Sequence, residues 1–212
     1  KTKKIWDYKV NNISPKSALV SLSDKTNLDL LVSFLLERNV EIISTGGTYK
    51  AIKKITDNVI EVSEYTGHKE MMDGRVKTLH PKIHAGILAR RGEDTDVLKS
   101  MDYKEIDIVV VNLYPFEETI KSGCSFEEAI EQIDIGGPTM IRAAAKNFKD
   151  VLVLSDPGDY EEMISEWDSK NGISYEFRKK QATKVFKKMS RYNEAIHKSV
   201  SYTHLRAHET RV

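Results

Sequence analysis

Residues 106–111 read IDIVVV, a run suited to a strand that is buried on both faces. Helical patterns separate this run from other short apolar runs on either side of it. Parallel strands need such crossover segments, whereas antiparallel strands can be joined by tight turns. The pattern therefore predicts an α/β fold, with a parallel sheet covered by helices on both faces. The other predicted strands are residues 18–22, 40–44, 59–62 and 151–154.

The two ends of the chain differ from this alternating region. Residues 1–17 are basic and have no clear hydrophobic period, so we assign them to an N-terminal extension. Residues 200–212 add no apolar face, and we interpret them as a non-native tail. One domain of residues 18–199 remains, long enough to bury a core without disulfides. Its predicted helices are residues 24–37, 49–55, 94–101, 116–121, 125–133, 137–147, 157–167 and 174–199.

Composition excludes several classes of protein. The 33 Lys and Arg residues nearly balance the 32 Asp and Glu residues, so net charge gives no argument for nucleic-acid or membrane binding. Cys124 is the single cysteine, which rules out an internal disulfide framework and a Cys-based zinc cluster. No apolar run approaches the roughly 18 residues of a membrane span, and no secretory signal pattern is present. We therefore predict a cytoplasmic protein.

Two polar loops follow the first two predicted strands. Residues 23–26 (SDKT) follow strand 18–22, and residues 45–48 (TGGT) follow strand 40–44. Ligands of open parallel sheets collect at the carboxyl ends of strands, where backbone N–H groups and Lys25 would hold a phosphate. A helix cap at Ser23 or Asp24 and an ordinary glycine turn are the simpler alternatives. Two such loops together favour a shared phosphate site.

Further polar groups lie in three later segments. Arg75 and Lys77 would face the same way in an extended chain, unless they belong to a solvated surface strand. Asn112 and Tyr114 would lie at the mouth of strand 106–111, unless this is an ordinary strand-to-helix loop. Asp134, next to two glycines, either caps the following helix or faces a ligand.

Arg142 and Lys146 are spaced i and i+4 on that following helix, so they share one face. Cations near a helix C-terminus often serve only as partners of the helix dipole. His80 and His84 have the same spacing, but Pro81 between them disfavours a helix and the zinc-protease glutamate is missing. The sequence contains no G-x-S-x-G elbow, Walker loop or dinucleotide fingerprint. We therefore predict neither a metal site nor a cofactor.

Six strings in a characteristic order resemble a known family. They are SDKT (23–26), TGGT (45–48), GRVKTLHPKIHAGILAR (74–90), NLYPF (112–116), QIDIGGPTMIRAAAKN (132–147) and DPGDY (156–160). They are similar to the inosine monophosphate cyclohydrolase domain, the N-terminal half of a bifunctional purine-biosynthesis family whose other half is a folate-dependent transformylase. The resemblance covers about residues 18–196 and implies a methylglyoxal synthase-like fold.

Three departures from the family pattern matter. The N-terminal stretch is longer than is typical of the family. Asn27 follows SDKT where the family has Gly, and we expect little loss because Asn tolerates left-handed backbone. The transformylase half is not part of this sequence, so we expect an isolated domain or a fragment, monomeric or weakly dimeric.

The resemblance implies dehydrating ring closure of 5-formamidoimidazole-4-carboxamide ribonucleotide (FAICAR) to inosine monophosphate, without a cofactor. The implied catalytic residues are Lys77, Tyr114, Asp134 and Lys146. Lys77 or Lys146 would donate to the formyl oxygen, Asp134 would polarise the carboxamide N–H, and Tyr114 would relay the proton. The implied substrate-binding residues are Ser23, Asp24, Lys25, Thr26, Thr45, Gly46, Gly47, Thr48, Arg75, Val76, Thr78, Val111, Asn112, Ile135, Gly136 and Gly137.

Two other functions remain open from the sequence. A non-catalytic regulatory module of the same fold would bind a phosphorylated or nucleotide effector, but it would not need the four catalytic residues together. Methylglyoxal synthase shares the glycine loop, but GRVKTLHP and QIDIGG favour the cyclohydrolase.

Overall fold

A computed structural model of the chain describes residues 11–72 and 74–209, with only the backbone for residues 202–209. Within these residues, five strands form one parallel sheet in the order β3-β2-β1-β4-β5. The strand order reverses between β1 and β4, which places a crevice at their carboxyl ends. The strands are β1 (Ser17–Leu22), β2 (Glu41–Ser44), β3 (Ile60–Glu61), β4 (Ile108–Asn112) and β5 (Leu152–Leu154).

Helices cover both faces of the sheet. Along β1, Ala18 and Val20 contribute to one buried cluster and Leu19 to the other, because successive strand residues point to opposite faces. Residues of the helices pack into both clusters, so the predicted α/β fold with helices on both faces of the sheet is confirmed. The helices are α1 (Leu28–Glu37), α2 (Gly46–Ile52), α3 (Val62–Thr66), α4 (Pro81–Leu88), α5 (Thr95–Ser100), α6 (Phe116–Lys121), α7 (Phe126–Glu131), α8 (Gly136–Lys146), α9 (Tyr160–Lys170) and α10 (Tyr175–Glu209), with a 3₁₀ turn at Pro157–Asp159.

The helix α4 corrects one prediction. Pro81 is its first residue, and the His80 ring accepts a hydrogen bond from the Lys82 N–H as a cap. Proline fits the first helical position because its missing N–H would have no partner there. The expectation that Pro81 disfavours a helix was therefore wrong.

Other boundaries also differ from the predictions. The predicted strand 59–62 is reduced to two residues, because Val62 already begins α3. The helix predicted from residue 24 begins only at Leu28, because Asn27 has a left-handed backbone (φ 59°). This confirms that asparagine occupies a left-handed position there. The final helix continues beyond residue 199 to Glu209.

The chain before β1 packs against the domain. Ile13 pairs with Ile173 in an antiparallel bridge. The buried guanidinium of Arg178 donates to the carbonyls of Asn11 (3.2 Å), Phe148 (3.0 Å) and Lys149 (2.7 Å). Arg178 thus joins the segment before β1 to the segment that leads into β5.

Residues 1–10, much of the predicted extension, lie outside the described residues, as do residues 210–212 of the predicted tail. The non-native origin of that tail stays a prediction. No helix in the described part of the chain has the length and apolar character needed to cross a bilayer.

Candidate functional site

Asn112, the last residue of β4, ties together the two loops at the crevice. Its Oδ1 accepts hydrogen bonds from the Ser23 N–H (2.7 Å), the Ser23 hydroxyl (2.8 Å) and the Asp24 N–H (3.0 Å). Its Nδ2 donates to the Asp24 carbonyl (2.7 Å). The buried Asn112 amide therefore fixes the conformation of the SDKT loop at the end of the sheet.

The SDKT loop is a turn closed by its own side chains. Asp24 Oδ1 accepts from the Thr26 N–H (2.9 Å) and the Thr26 hydroxyl (2.7 Å), and these bonds lower the pKa of the Asp24 carboxyl. Lys25 Nζ lies 3.3 Å from the Leu22 carbonyl oxygen. The cap of α1 is Asn27, without a side-chain hydrogen bond, so the alternative of a cap at Ser23 or Asp24 was wrong.

The TGGT loop is bound to the end of β1. The Thr48 hydroxyl accepts from the Leu22 N–H (2.8 Å) and donates to the Leu22 carbonyl (3.0 Å). The Thr45 and Ser21 hydroxyls are 2.8 Å apart. Helix α2 begins at Gly46 rather than at residue 49. A methyl group added at Gly47 would meet no heavy atom within 4 Å, so this glycine leaves open space at the loop.

Lys77 passes closely over two glycines with positive φ. A methyl group at Gly46 (φ +43°) would lie 3.3 Å from Lys77 Nζ, and one at Gly74 (φ +87°) would lie 2.8 Å from it. The ammonium group forms an ion pair of 3.0 Å with Glu70. Together with His68, these groups line a cavity of about 300 Å³. The glycines thus let the Lys77 amine approach the TGGT loop.

The segment around Arg75 is a turn rather than an extended strand. Val76 and Met71 form an isolated antiparallel bridge across it. Arg75 pairs with Glu131 at 3.3 Å, whereas Lys77 pairs with Glu70. The prediction of an extended chain with both cations facing the same way was therefore wrong, because the turn directs them to carboxylates in different segments.

The IDIGG turn packs against two of the other segments. A methyl group at Gly136 would lie 2.7 Å from the hydroxyl of the buried Thr78. A methyl group at Gly137 would lie 2.8 Å from Leu113 Cδ2 and 2.3 Å from Asp134 Oδ2. Both glycines are therefore required by close approach of neighbouring side chains.

Asp134 is the most strongly confined of the predicted catalytic groups. Its Oδ1 accepts the Gly137 N–H (2.9 Å) at the start of α8, and its own N–H donates to the Tyr192 hydroxyl (2.8 Å). Burial raises the pKa of the Asp134 carboxyl, and the N–H groups of Gly137 and Gly136 oppose that rise. The carboxyl therefore holds its proton more readily than an exposed aspartate does.

These contacts join the five segments in a closed ring. SDKT meets NLYPF through Asn112, and NLYPF meets IDIGG through Leu113. IDIGG meets GRVKT through Thr78, and GRVKT meets TGGT through Lys77. TGGT returns to the end of β1 through Thr48. The ring brings together segments that are more than 100 residues apart in the sequence.

The remaining predicted residues lie at the rim, below the ring or away from it. Tyr114 and Ile135 are about half exposed, at 53% and 55%, whereas Val111 is buried in the core. Lys146 is the last residue of α8 and is exposed. It lies nine positions after Gly137, which is about 14 Å along the helix at 1.5 Å per residue. Within one chain, the structure does not bring Lys146 to Asp134.

Sequence reasoning missed two partners of the predicted residues. Glu70, the ion-pair partner of Lys77, lies seven residues before it without a recognisable motif. Tyr192 lies on the last helix, outside all of the predicted motifs, although its hydroxyl accepts the N–H of Asp134 from 58 positions away. Among the described side chains, no group of three or more His, Cys, Asp or Glu residues is arranged to hold a metal ion.

Two family models match the chain. The MGS-like domain model matches residues 27–139, and the AICARFT/IMPCHase bienzyme model matches residues 144–211. The crystal structure of ForH superposes with a TM-score of 0.73 at 29% identity, over 88% of this chain and 99% of that one.

Curated relatives carry the name bifunctional purine biosynthesis protein PurH. The protein from Clostridium kluyveri is 56% identical over 181 residues, which are 84% of this chain and 36% of the relative. The protein from Fusobacterium nucleatum is 54% identical over 183 residues, 85% of this chain and 36% of the relative. The chain thus spans little more than a third of the length of these relatives. It belongs to the MGS-like domain family, and its second part matches the AICARFT/IMPCHase bienzyme family.

Proposed function

We propose that this chain is an IMP cyclohydrolase, which converts FAICAR to inosine monophosphate with loss of water. The observation that carries the proposal is the ring of five segments, which places Lys77 beside a glycine loop and confines Asp134 in the same ring. The names of the relatives support a role in purine biosynthesis. The sequence motifs select the cyclisation step among the reactions of such a bifunctional protein.

The phosphate of the nucleotide would bind where SDKT and TGGT meet at the end of β1. Lys25 supplies a cation there, and Gly47 leaves open space above the backbone. Backbone N–H groups next to glycines make concave sites for anions. Ser23, Asp24 and Thr45 shape the two loops through the hydrogen bonds that they already make.

In the reaction, the carboxamide nitrogen forms a bond to the formyl carbon, and the formyl oxygen becomes a hydroxyl group. That hydroxyl leaves as water after it gains a proton. The attacking nitrogen loses one of its two protons, and the formamide nitrogen loses its single proton as the C=N bond of the ring forms. Both reactants belong to one molecule, so the protein supplies only part of the 7–11 kcal/mol or so that full orientation can contribute. The remainder comes from proton transfer and from donors aimed at the developing oxyanion.

We assign the donor role to Lys77, which lies in the ring, in preference to Lys146 at the far end of α8. A donor at a developing oxyanion contributes roughly 3–4 kcal/mol. Asp134, whose pKa is raised by burial, would accept a hydrogen bond from the carboxamide N–H and polarise it. Tyr114 at the rim would pass a proton to solvent. In the longer relatives a transformylase half would supply the substrate, and we place the reaction in the cytoplasm.

The test is to add FAICAR to the purified chain and to follow ultraviolet absorbance, with the product identified by chromatography. We expect turnover that Lys77→Met and Asp134→Asn each reduce at least a hundredfold. Comparison of Lys77→Met with Lys146→Met shows which lysine is the donor. The variant that lacks the donor loses turnover but still binds inosine monophosphate. Binding of inosine monophosphate without any turnover would instead assign a regulatory module. Conversion of dihydroxyacetone phosphate would assign methylglyoxal synthase.

A further inference from the structure

Tyr192 lies on α10, outside the five segments, but contacts two of them with one side chain. Its hydroxyl oxygen accepts the N–H of Asp134 at 2.8 Å. Its ring meets the buried ring of Phe116 edge-on, with centroids 6.1 Å apart and planes at 68°. Phe116 ends the NLYPF segment that carries Tyr114. One tyrosine therefore touches both segments that bear these proposed catalytic groups.

The hydrogen bond to Tyr192 completes the confinement of Asp134. The Gly137 N–H holds the carboxylate at 2.9 Å, and the Tyr192 hydroxyl holds the backbone of the same residue. Without the hydroxyl, the half-buried N–H of Asp134 would lose its acceptor, which favours a looser turn open to water. The position of the Asp134 carboxylate thus depends on a side chain from a distant helix.

Helix α10 is a firm support for this contact. Its residues Val185 and Met189 are buried in the same core cluster as Met140 and Ile141 of α8. Tyr192 follows Met189 by three residues, so it projects from nearly the same side of the helix. The hydroxyl is therefore fixed by packed secondary structure rather than by a loop.

We propose that Tyr192 is a positioning residue for the cyclisation, which anchors the Asp134 turn and the Tyr114 loop to α10. This inference rests on the proposed function for its effect on turnover, but not for the contact itself. It assigns α10 a role in the site in addition to packing, and Tyr192 is not expected to touch the substrate.

The first test compares Tyr192→Phe with Tyr103→Phe. The phenylalanine at 192 keeps the ring against Phe116 and removes only the acceptor oxygen, so the variant is expected to fold with its unfolding temperature within about 3 °C of the wild type. We expect kcat for FAICAR to fall about tenfold, since small displacements of a catalytic group cost up to about a hundredfold. KM should stay within about twofold. Tyr103 is a partly buried tyrosine beside Lys82, outside the ring, and its variant should keep wild-type kinetics.

The second test does not require turnover. The carboxyl carbon of Asp134 is titrated by ¹³C NMR, with Asp134→Asn used to assign its signal. In Tyr192→Phe we expect the pKa of Asp134 to move down towards the ordinary aspartate value, because a looser turn admits water. In the wild-type chain, the amide hydrogen of Asp134 should exchange more slowly with solvent than that of the exposed Ile135.

The outcomes separate the two proposals. Normal kcat in Tyr192→Phe, or loss of kcat with an unchanged Asp134 titration, would overturn the positioning role. Rapid exchange of the Asp134 amide in the wild type would overturn it without any variant. A shifted titration in a chain that never converts FAICAR would retain the anchoring contact and refute the cyclohydrolase.

Discussion

Replacement of Gly137 by alanine tests the close packing of the IDIGG turn. Gly137 lies in the first turn of α8 with ordinary helical backbone, where alanine alone would favour the helix by up to about 1 kcal/mol. The added methyl would, however, lie 2.3 Å from Asp134 Oδ2 and 2.8 Å from Leu113 Cδ2. Overpacking of this kind costs about 1–3 kcal/mol. We therefore expect a net loss of about 1–2 kcal/mol in the free energy of unfolding.

The matched control for stability is Gly47→Ala. Gly47 also lies in the first turn of a helix, but a methyl group there meets no heavy atom within 4 Å. Urea unfolding should show Gly47→Ala at or above wild-type stability and Gly137→Ala below it. Since the new methyl displaces the Asp134 carboxylate, turnover of FAICAR by Gly137→Ala should fall about a hundredfold. Binding of inosine monophosphate to that variant should weaken much less.

One result would refute this reasoning directly. If Gly137→Ala matched the wild type in both unfolding free energy and turnover, the turn would have room for the methyl group. The close approach of Asp134 to the start of α8 would then not be required for the reaction.

Three further predictions concern buried polar groups. Arg178→Met should lower the free energy of unfolding by about 3–5 kcal/mol, because several buried carbonyls lose a charged donor. Replacement of the exposed Arg142 by Met should change it little. Urea unfolding measures both variants, and equal stabilities would contradict the anchoring role of Arg178. Tyr160→Phe should be neutral or stabilise by up to about 1 kcal/mol, since the buried hydroxyl has no hydrogen-bond partner among the described residues; a clear loss of thermal stability would reveal a partner for that hydroxyl. Burial raises the pKa of Asp134 in the folded chain, so ionisation of its carboxyl destabilises the folded state above that pKa. Below 3.8, the pKa in the unfolded chain, the carboxyl is protonated in both states and does not affect stability. Asp134→Asn should thus gain stability relative to the wild type as the pH rises from about 3 to 7, and a pH-independent difference in unfolding free energy would show that the carboxyl is not shifted.

The sequence predicted the sheet well because its signals are local. Residues 108–111 of β4 alternate between the two core clusters, so each of these four residues is apolar for a reason visible in the sequence. The boundary errors have local causes too. The helix was predicted to start at residue 24, although a left-handed Asn27 delays the start of α1 to Leu28. The helix α4 was missed because Pro81 was interpreted as a helix breaker rather than as a first residue.

The site could be predicted only as a set of segments. The motifs around Lys77 and Asp134 are visible in the sequence, but the contacts that hold them depend on how distant segments meet. Tyr192 carries no local sign of its contact with Asp134, and nothing before the structure separates Lys146 from the other catalytic candidates. Helix length, rather than residue type, places Lys146 away from the ring.

The hydrogen bonds between Asn112 and the SDKT loop have a consequence for how a ligand would be bound. Four hydrogen bonds fix the SDKT loop to the end of the sheet, so the entropy of ordering that loop is lost when the chain folds. A nucleotide that enters this crevice meets a preorganised surface, and more of its interaction energy appears as affinity. At the proposed phosphate site, this preorganisation therefore depends on one amide side chain at the end of β4.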